Sequence, residues 1–365
     1  LFISWATNNK QLAYDSVDET SSLPKRIKVI LIWTQRDCAP FNFFEDGAVS
    51  FIKNNCSVNN CYITSDRHFF GHDLTMFDAI AFNGRNIDEE DHPPIRSLDQ
   101  KYIFFNMESS DQFPVCDPKY DGFFNLTATY KLNSDIKLPY FLVKDKDGAI
   151  MGPRNRMRWE KDMAEVDGEF RRSIQNKTKA AAWFVSNCKS RNKREDFVKK
   201  LDTAMEPYGH SIDVYGKCGP FECTRKNFRA CDLILKTNYF FYMSLENSFC
   251  EDYVTEKLLT ALQNDIVPIV YGGADYSKFL PPGSYIDGRN QSVAELAATM
   301  DHLMRHPKEY LEFFKWKQYY TYTVPLRKEN VCGICEALNN EGLMRKSTVY
   351  ENFRAWWNPE YKSRC

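Results

Sequence analysis

The sequence predicts an α/β protein of two Rossmann-like lobes, and three observations carry that expectation. The chain has 365 residues, which suits two α/β lobes better than one hydrophobic core. Apolar, β-branched runs of strand length alternate with segments of helical periodicity, the pattern of parallel sheets covered by helices. Residues 239–287 condense that pattern into a strand, a loop, a helix and a second strand, the unit from which such sheets are built.

Residues 1–24 are polar, with scattered hydrophobes and no period, and read as a stem or N-terminal arm. The first lobe, 25–150, opens at Lys28–Thr34, a buried strand. A helix precedes Cys56, and short strands are expected at Tyr62–Thr64 and Phe77–Phe82. Pro93-Pro94 marks a loop or a helix start. The next strand, Lys101–Met107, runs into Glu108-Ser109-Ser110. A carboxylate at the carboxyl end of a parallel strand sits where open α/β sheets place their chemistry. By position alone, a turn residue or salt-bridge partner is the plainer reading of Glu108.

Residues 151–179 are dense in charge and read as an interlobe linker with a helix inside. The Asp145-Lys146-Asp147 triplet looks like a sugar-nucleotide metal motif. No strand is expected to lead into it, so it reads as ordinary solvated surface. The second lobe, 180–325, opens with the strand Ala180–Asn187, the basic loop Cys188–Arg194 and the helix Glu195–Met205. Such a unit attracts anions through charge and through the free N–H groups of the helix start. Neither Gly-x-Gly-x-x-Gly nor a P-loop is present, so dinucleotide and ATP readings lack their fingerprints. A strand follows at Ile212–Tyr215, and helices are expected at Val293–Arg305 and Pro307–Tyr319. The tail, 326–365, carries Cys332-Gly-Ile-Cys335 and Trp356-Trp357.

Within 239–287, Tyr239–Leu245 is a buried strand, and the polar run after it ends at Asp252, a candidate helix N-cap. Val254, Leu258, Ala261 and Leu262 recur at helical spacing. Ile266–Tyr271 is β-branched and stops at Gly272-Gly273. Glu256 and Lys257 fall in the first helical turn, where a lysine opposes the helix dipole. From the helix alone Lys257 reads as a solvated surface residue. The gathering of Tyr242, Glu246, Asn247, Tyr253, Glu256 and Lys257 near one strand end shifts the reading towards an anionic ligand such as a phosphate.

Composition narrows the remaining classes. A net charge of −1 gives no reason to expect nucleic acid or an anionic membrane surface as partner. No apolar run reaches the roughly 18 residues a membrane span needs. Twelve cysteines without a metal-like quartet point to an oxidising compartment. Sequons at Asn55, Asn125, Asn176 and Asn290, the glycosylation candidates, agree with a secretory route. Cys332-x-x-Cys335 reads as structural disulfide chemistry rather than a redox motif or half a zinc site.

The segments Ser-Leu-Glu-Asn-Ser, Asp-Tyr-Val-Thr-Glu-Lys-Leu, Val-Pro-Ile-Val-Tyr-Gly and Phe-Leu-Pro-Pro-Gly-Ser-Tyr-Ile closely resemble the donor-binding signature of the α1,3-fucosyltransferases, glycosyltransferase family ten. The resemblance, patchier elsewhere, spans most of residues 27–357. It implies the GT-B architecture, inversion at the anomeric carbon, and GDP-fucose as donor. It makes Glu108 the catalytic base and places Tyr140, Ser186, Asn187 and Arg194 by the donor. With the demands of the chemistry added, Arg194 and Lys257 take the diphosphate and Glu256 lies near the fucose. Asn247, Tyr242 and Tyr253 then shape the sugar-nucleotide pocket. Two cations in place of a metal imply no required cofactor and at most mild stimulation by Mn²⁺. The resemblance also helps to pair Cys56 and Cys61 with Cys332 and Cys335, tying the tail to the first lobe. Such enzymes are type II Golgi membrane proteins, so the chain is expected to be a luminal part that lacks the N-terminal anchor. Cys-Gly-Ile-Cys and Val-Tyr-Gly-Gly-Ala-Asp-Tyr look most like the invertebrate and plant enzymes that fucosylate the innermost, Asn-linked GlcNAc of N-glycans. The alternatives are Lewis-type transfer to N-acetyllactosamine, protein O-fucosylation, or a glycan-binding protein that has lost catalysis. The intact set Glu108, Arg194, Glu256 and Lys257 argues against the last.

Overall fold

The computed structural model describes residues 26–223, 228–345 and 348–365, so the expected arm 1–24 lies outside the described residues. The chain forms two compact units. One takes the chain up to Thr129, Ser134–Leu138 and Leu326–Cys365; the other takes Tyr130–Asn133 and Pro139–Pro325.

The first unit is built on β1 (Lys28–Ile32), β2 (Cys61–Thr64), β3 (Ala79–Asn83), β4 (Lys101–Asn106), β5 (Leu126–Thr129) and β6 (Ile136–Lys137). All are parallel, in the order β2-β1-β3-β4-β5-β6. Every residue of β3 and β4 is buried, as expected of central strands covered on both faces. Aromatic rings fill the space beside them. Phe353 and Trp357 of the C-terminal tail are fully buried and meet Phe104 of β4 at 4.8 and 5.0 Å between ring centroids. The Trp357 indole N–H donates to the Phe113 carbonyl at 2.9 Å. The tail therefore supplies part of the core of this unit.

The helix Arg327–Asn339 carries both cysteines of Cys-Gly-Ile-Cys. Cys332 is bonded to Cys56, Cys335 to Cys61, and Cys116 to Cys365. Gly333 lets this helix lie close to the sheet, because a Cβ there would meet the Ile136 side chain of β6 at 3.0 Å.

The second unit holds β7 (Leu142–Asp145), β8 (Ile150–Gly152), β9 (Lys179–Phe184), β10 (Ile212–Tyr215), β11 (Tyr239–Leu245), β12 (Val267–Tyr271), β13 (Ile286–Asp287) and β14 (Tyr320–Thr323). Five of them make a parallel sheet in the order β10-β9-β11-β12-β13, and β14-β7-β8 make a small antiparallel sheet. Leu258, Leu259 and Leu262 of the helix Glu256–Gln263 pack on Val270 of β12 and on the aromatic residues of β14.

Four expectations need correction. Residues 139–150 belong to the second unit, because β7 pairs with β14. The charged stretch 151–179 is part of that unit too: Val166 and Ile174 are buried in its core, flanking the helix Gly168–Ser173. A strand does lead into Asp145; its carboxylate accepts the Asp147 and Ala149 amides at 3.0 and 2.9 Å and closes the β7–β8 turn. The helix expected over 307–319 stops at Glu312. Tyr310 and Phe314 enter the core beneath the parallel sheet, whereas Trp316 enters the core beside β14, and one straight helix face cannot serve both.

Removing either Cys56–Cys332 or Cys61–Cys335 leaves its neighbour closing nearly the same long loop. Each single removal, by paired serine substitution, should cost about 2–3 kcal/mol because only the short loop between the bridges opens, and removal of both, which frees the long loop, should cost more than the sum of the two singles, read by denaturant unfolding of the first unit.

Candidate functional site

The five-stranded sheet has the order 2-1-3-4-5 when its strands are numbered along the chain. Connections leave its first strand, β9, and its third, β11, towards opposite sides. That makes the crevice between their carboxyl ends the switch point at which open α/β sheets bind ligands. The residues around it come from the β9 loop and from the β11 loop with the helix that follows it.

Glu246 directly follows β11 and is 1% exposed. Its Oε1 accepts the Thr255 amide at 2.8 Å and the Thr255 hydroxyl at 2.9 Å. Its Oε2 accepts the Lys257 ammonium at 3.1 Å. Thr255 is the N-cap of the helix Glu256–Gln263, so a protein carboxylate occupies the place a helix start offers to an anion. Lys257 Nζ also donates to Thr255 Oγ1 at 2.6 Å and to Glu256 Oε1 at 3.3 Å. Burial pushes the Glu246 carboxyl up from its ordinary range, and Lys257 opposes that shift. Burial also works against the charge of Lys257, but Glu246 and Glu256 outweigh it and hold its pKa above the ordinary lysine value. The sequence expectation for Lys257 changes accordingly: its immediate partners are two carboxylates and a hydroxyl.

Arg194 opens the helix Arg194–Met205 and is 3% exposed. Its Nη1 donates to the Leu245 carbonyl at 2.6 Å and its Nη2 to the Asn187 carbonyl at 3.3 Å. Its Nε has no hydrogen-bond partner among the described residues. Burial lowers the Arg194 pKa, with Glu246 opposing. The guanidinium thus ties the β9 loop to the end of β11, one residue before Glu246. Around it, Ser186, Asn187, Lys189 and Lys193 are exposed. The disulfide Cys188–Cys218 fastens this loop to the loop after β10.

Asp252 is not the N-cap expected of it. Its φ is +58°, and its carboxylate accepts the Leu132 amide at 3.1 Å and Lys278 at 3.3 Å. That docks residues 130–133 on the β11 loop. Tyr253 is buried, with ring centroids of Tyr130 and Tyr140 at 5.0 and 6.0 Å; Tyr140 is half-buried. Asn247 is half-buried and accepts the Ser248 hydroxyl at 3.2 Å. Tyr242 is different: it is 3% exposed and packed with Ala182, Tyr215 and Ala261, a core residue beneath the site. Gly273 lets the β11 loop pack backbone to backbone, since a Cβ there would lie 2.5 Å from the Cys250 nitrogen.

Two residues escaped the sequence reading. Thr255, the hub between Glu246 and Lys257, leaves no pattern that distinguishes it from any helix-start threonine. Arg289 donates to the Gly272 and Ala274 carbonyls at 2.6 and 3.2 Å and pairs with Asp287, which adds a cation at the same sheet edge. An isolated arginine after a two-residue strand gives no such signal.

In the first unit, Glu108 follows β4 at the carboxyl edge. Its amide donates to Asn106 Oδ1 at 2.7 Å, its side chain is 35% exposed, and Arg85 Nη1 lies 3.7 Å from Oε1. At the carboxyl ends of β1 and β3, the switch point of this sheet, lies a cavity of about 920 Å³ lined by Trp33, Gln35, Arg67, Asn86, Asp88 and Asp91. Arg67 stacks 3.6 Å over the Trp33 ring and forks onto Asp91 at 2.9 and 2.5 Å. Of the sequon asparagines, Asn55, Asn176 and Asn290 are exposed. Asn125 is half-buried, and its Oδ1 accepts the Tyr102 amide at 2.9 Å.

Two family models match the chain: "Fucosyltransferase, N-terminal" over residues 25–141 and "Glycosyltransferase family 10 (fucosyltransferase) C-term" over residues 174–356. Alpha-(1,3)-fucosyltransferase C of Drosophila melanogaster is 36% identical over 310 residues, covering 83% of this chain and 70% of that protein. Glycoprotein 3-alpha-L-fucosyltransferase A of the same organism is 30% identical over 336 residues, covering 91% of this chain and 60% of its own length. Among solved structures, an α1,3-fucosyltransferase crystallised with GDP-fucose shares the fold at a TM-score of 0.54 and 14% identity, covering 92% of this chain and 96% of that one.

Lys257→Met should destabilise the second unit by about 2–4 kcal/mol, because it strands a buried carboxylate, and the double variant with Glu246→Gln should lose less than the sum of the two singles. The folded Lys257 pKa is held above the ordinary lysine value, so at neutral pH the lysine's part of this contribution is fully present, and it is lost only as pH rises through the folded pKa. Double-mutant cycles by denaturant unfolding should therefore give the same coupling at neutral and mildly alkaline pH.

Proposed function

This chain belongs to glycosyltransferase family 10, the fucosyltransferases, and on that premise we propose that it is an inverting, GDP-fucose-dependent α1,3-fucosyltransferase. The observation that carries the reading is the switch-point edge of the second unit, where Arg194 and Lys257 bracket the end of β11. A nucleoside diphosphate leaving group needs stabilised negative charge there.

Lys257 has its three protons engaged by Glu246, Thr255 and Glu256. Glu246 is held in the core, whereas the Glu256 side chain is 65% exposed. The incoming pyrophosphate displaces Glu256 from the ammonium. Glu256, released, turns to the fucose and favours the oxocarbenium-like transition state. Lys189 and Lys193 draw the donor in, and the Tyr140–Tyr253 pair walls the sugar-nucleotide pocket. Glu108 takes the proton of the acceptor hydroxyl as its oxygen forms the bond to the anomeric carbon and the bond to GDP breaks. These cations take the part a metal plays elsewhere, so full activity is expected in excess chelator, and complete loss reversed by Mn²⁺ overturns this.

The acceptor we propose is the innermost GlcNAc of N-glycans, bound at the cavity of the first unit, whose Gln35, Asn86 and carboxylates offer hydrogen bonds to sugar hydroxyls. The name of the glycoprotein 3-alpha-L-fucosyltransferase A relative supports a glycoprotein acceptor. The disulfides fit a Golgi-lumen enzyme held by an N-terminal anchor, and exposed Asn55, Asn176 and Asn290 fit as its own glycan sites. Among the described residues no helix is long and apolar enough to cross a membrane.

Glu108→Gln should keep GDP binding by calorimetry and lose about 10²–10⁴-fold in turnover, while Lys257→Ala should weaken donor binding as well. Parent-rate transfer by Glu108→Gln places the base elsewhere. A panel of N-glycan core, N-acetyllactosamine and peptide acceptors with linkage analysis tests the acceptor: fucose on N-acetyllactosamine alone overturns the core assignment.

A further inference from the structure

A second site stands apart from this chemistry. His302, on the last turn of the helix Val293–Arg305, His306 at its end, and Glu309 in the following helix Pro307–Glu312 each offer a ligand atom, and these atoms lie within 4.8 Å of one another. All three side chains are exposed. We propose that they bind one zinc ion, with water in the fourth position, as a structural clasp between the two helices.

Three features support the assignment. First, the His306 Nδ1 lies 2.7 Å from the His302 carbonyl oxygen. A carbonyl only accepts, so Nδ1 carries the proton and Nε2 presents its lone pair, the state in which imidazole ligates a metal. Second, His302 Nε2 already meets Glu309 Oε2 at 2.9 Å. A proton now sits where the cation would, between a nitrogen and a carboxylate oxygen. Third, the two imidazole rings pack face to face, 3.8 Å between centroids and 19° apart in plane, so the side chains already lie together, and the exposed rings turn to bring their in-plane lone pairs onto one ion. Tetrahedral zinc with bonds of about 2.0–2.2 Å sets its ligand atoms roughly 3.4 Å apart, so the His302–Glu309 contact opens slightly while the wider separations close, and exposed side chains can make both adjustments without backbone movement. Two imidazoles with a carboxylate suit zinc over magnesium or calcium, which prefer oxygen ligands.

The position of the cluster separates it from donor binding. The helix Val293–Arg305 leaves the carboxyl end of β13 through a Ser292–Glu295 capping box and runs back along the sheet. Its far end is fixed where the Tyr310 hydroxyl, one residue after Glu309, donates to the Phe240 carbonyl at the amino end of β11, 2.6 Å away. The cluster therefore lies at the sheet edge opposite Arg194 and Lys257, and the ion acts on stability rather than on transfer.

The test uses the untagged, chelator-stripped chain. Calorimetry with zinc chloride should show one equivalent bound, and zinc at about a hundred-fold excess over its Kd should raise Tm by roughly 5–10 °C. His306→Ala and Glu309→Gln, both on the surface, should lose binding and the Tm rise. Transfer, if the chain is a fucosyltransferase, should stay within about two-fold of the parent with or without zinc. Absence of stoichiometric binding, a Tm rise that survives in both variants, or an equal rise with magnesium overturns the proposal. None of these readouts depends on the assigned activity.

Discussion

A single buried carboxylate organises the second unit. Glu246 directly follows a strand of seven residues that are apolar or aromatic apart from Ser244, and it is sealed from solvent. An ionised group there is tolerable only if its lone pairs are filled. The backbone and hydroxyl of Thr255 and the ammonium of Lys257 fill them. That requirement fixes where the next helix starts and which way its first turn faces. It also fixes Lys257, because the lysine must reach back to Glu246. One residue earlier, the Leu245 carbonyl takes Arg194. Both sides of the switch point are thus referred to Leu245 and Glu246, the last residue of β11 and the one after it.

The fold was legible where one element answered to one core. β1, β4 and β11 fall within the segments their apolar runs mark, and β9 starts one residue before its segment, because central parallel strands are buried on both faces and leave an unbroken signal. The helix Val293–Arg305 is equally plain, with Leu296, Met300 and Leu303 on one face. Legibility failed where a segment serves two cores. Tyr310, Phe314 and Trp316 look like one amphipathic helix until the structure divides them between two clusters. Residues 139–150 read as the end of one lobe because nothing local marks that β7 pairs with β14, about 175 residues later along the chain.

The site was legible in its residue types more than in their bonds. Arg194, Glu256 and Lys257 stand at the sheet edge their positions imply. Their partners could not be read, since a hydrogen bond between residues 246 and 255 depends on the path of the loop and not on spacing. Tyr242 shows the converse difficulty. Two residues before Ser244 and four before Glu246, it shares their face of the strand, but a ring three residues inside the strand is covered by the helix that Glu246 positions. Asp252 had the composition of an N-cap, yet its left-handed backbone and its bonds to Leu132 and Lys278 commit it to holding a distant segment.

The charge balance of the cluster bears on the proposed binding of a donor. Arg194 and Lys257 carry two positive charges and Glu246 and Glu256 two negative ones, so these four residues by themselves are close to neutral, and net attraction for a dianion is left to the exposed Lys189 and Lys193 around them. Arg194 and Glu246 cannot leave, because each would abandon buried partners. In the proposed donor complex the exchange falls on Glu256, the one member of the four with most of its side chain in water. Screening makes its contact with Lys257 cheap to break, whereas a pyrophosphate brings stronger, charge-assisted hydrogen bonds to the same ammonium. The deep pair keeps the lysine aimed while the shallow pair gives way, and a group so aimed loses little orientational freedom when the ligand arrives.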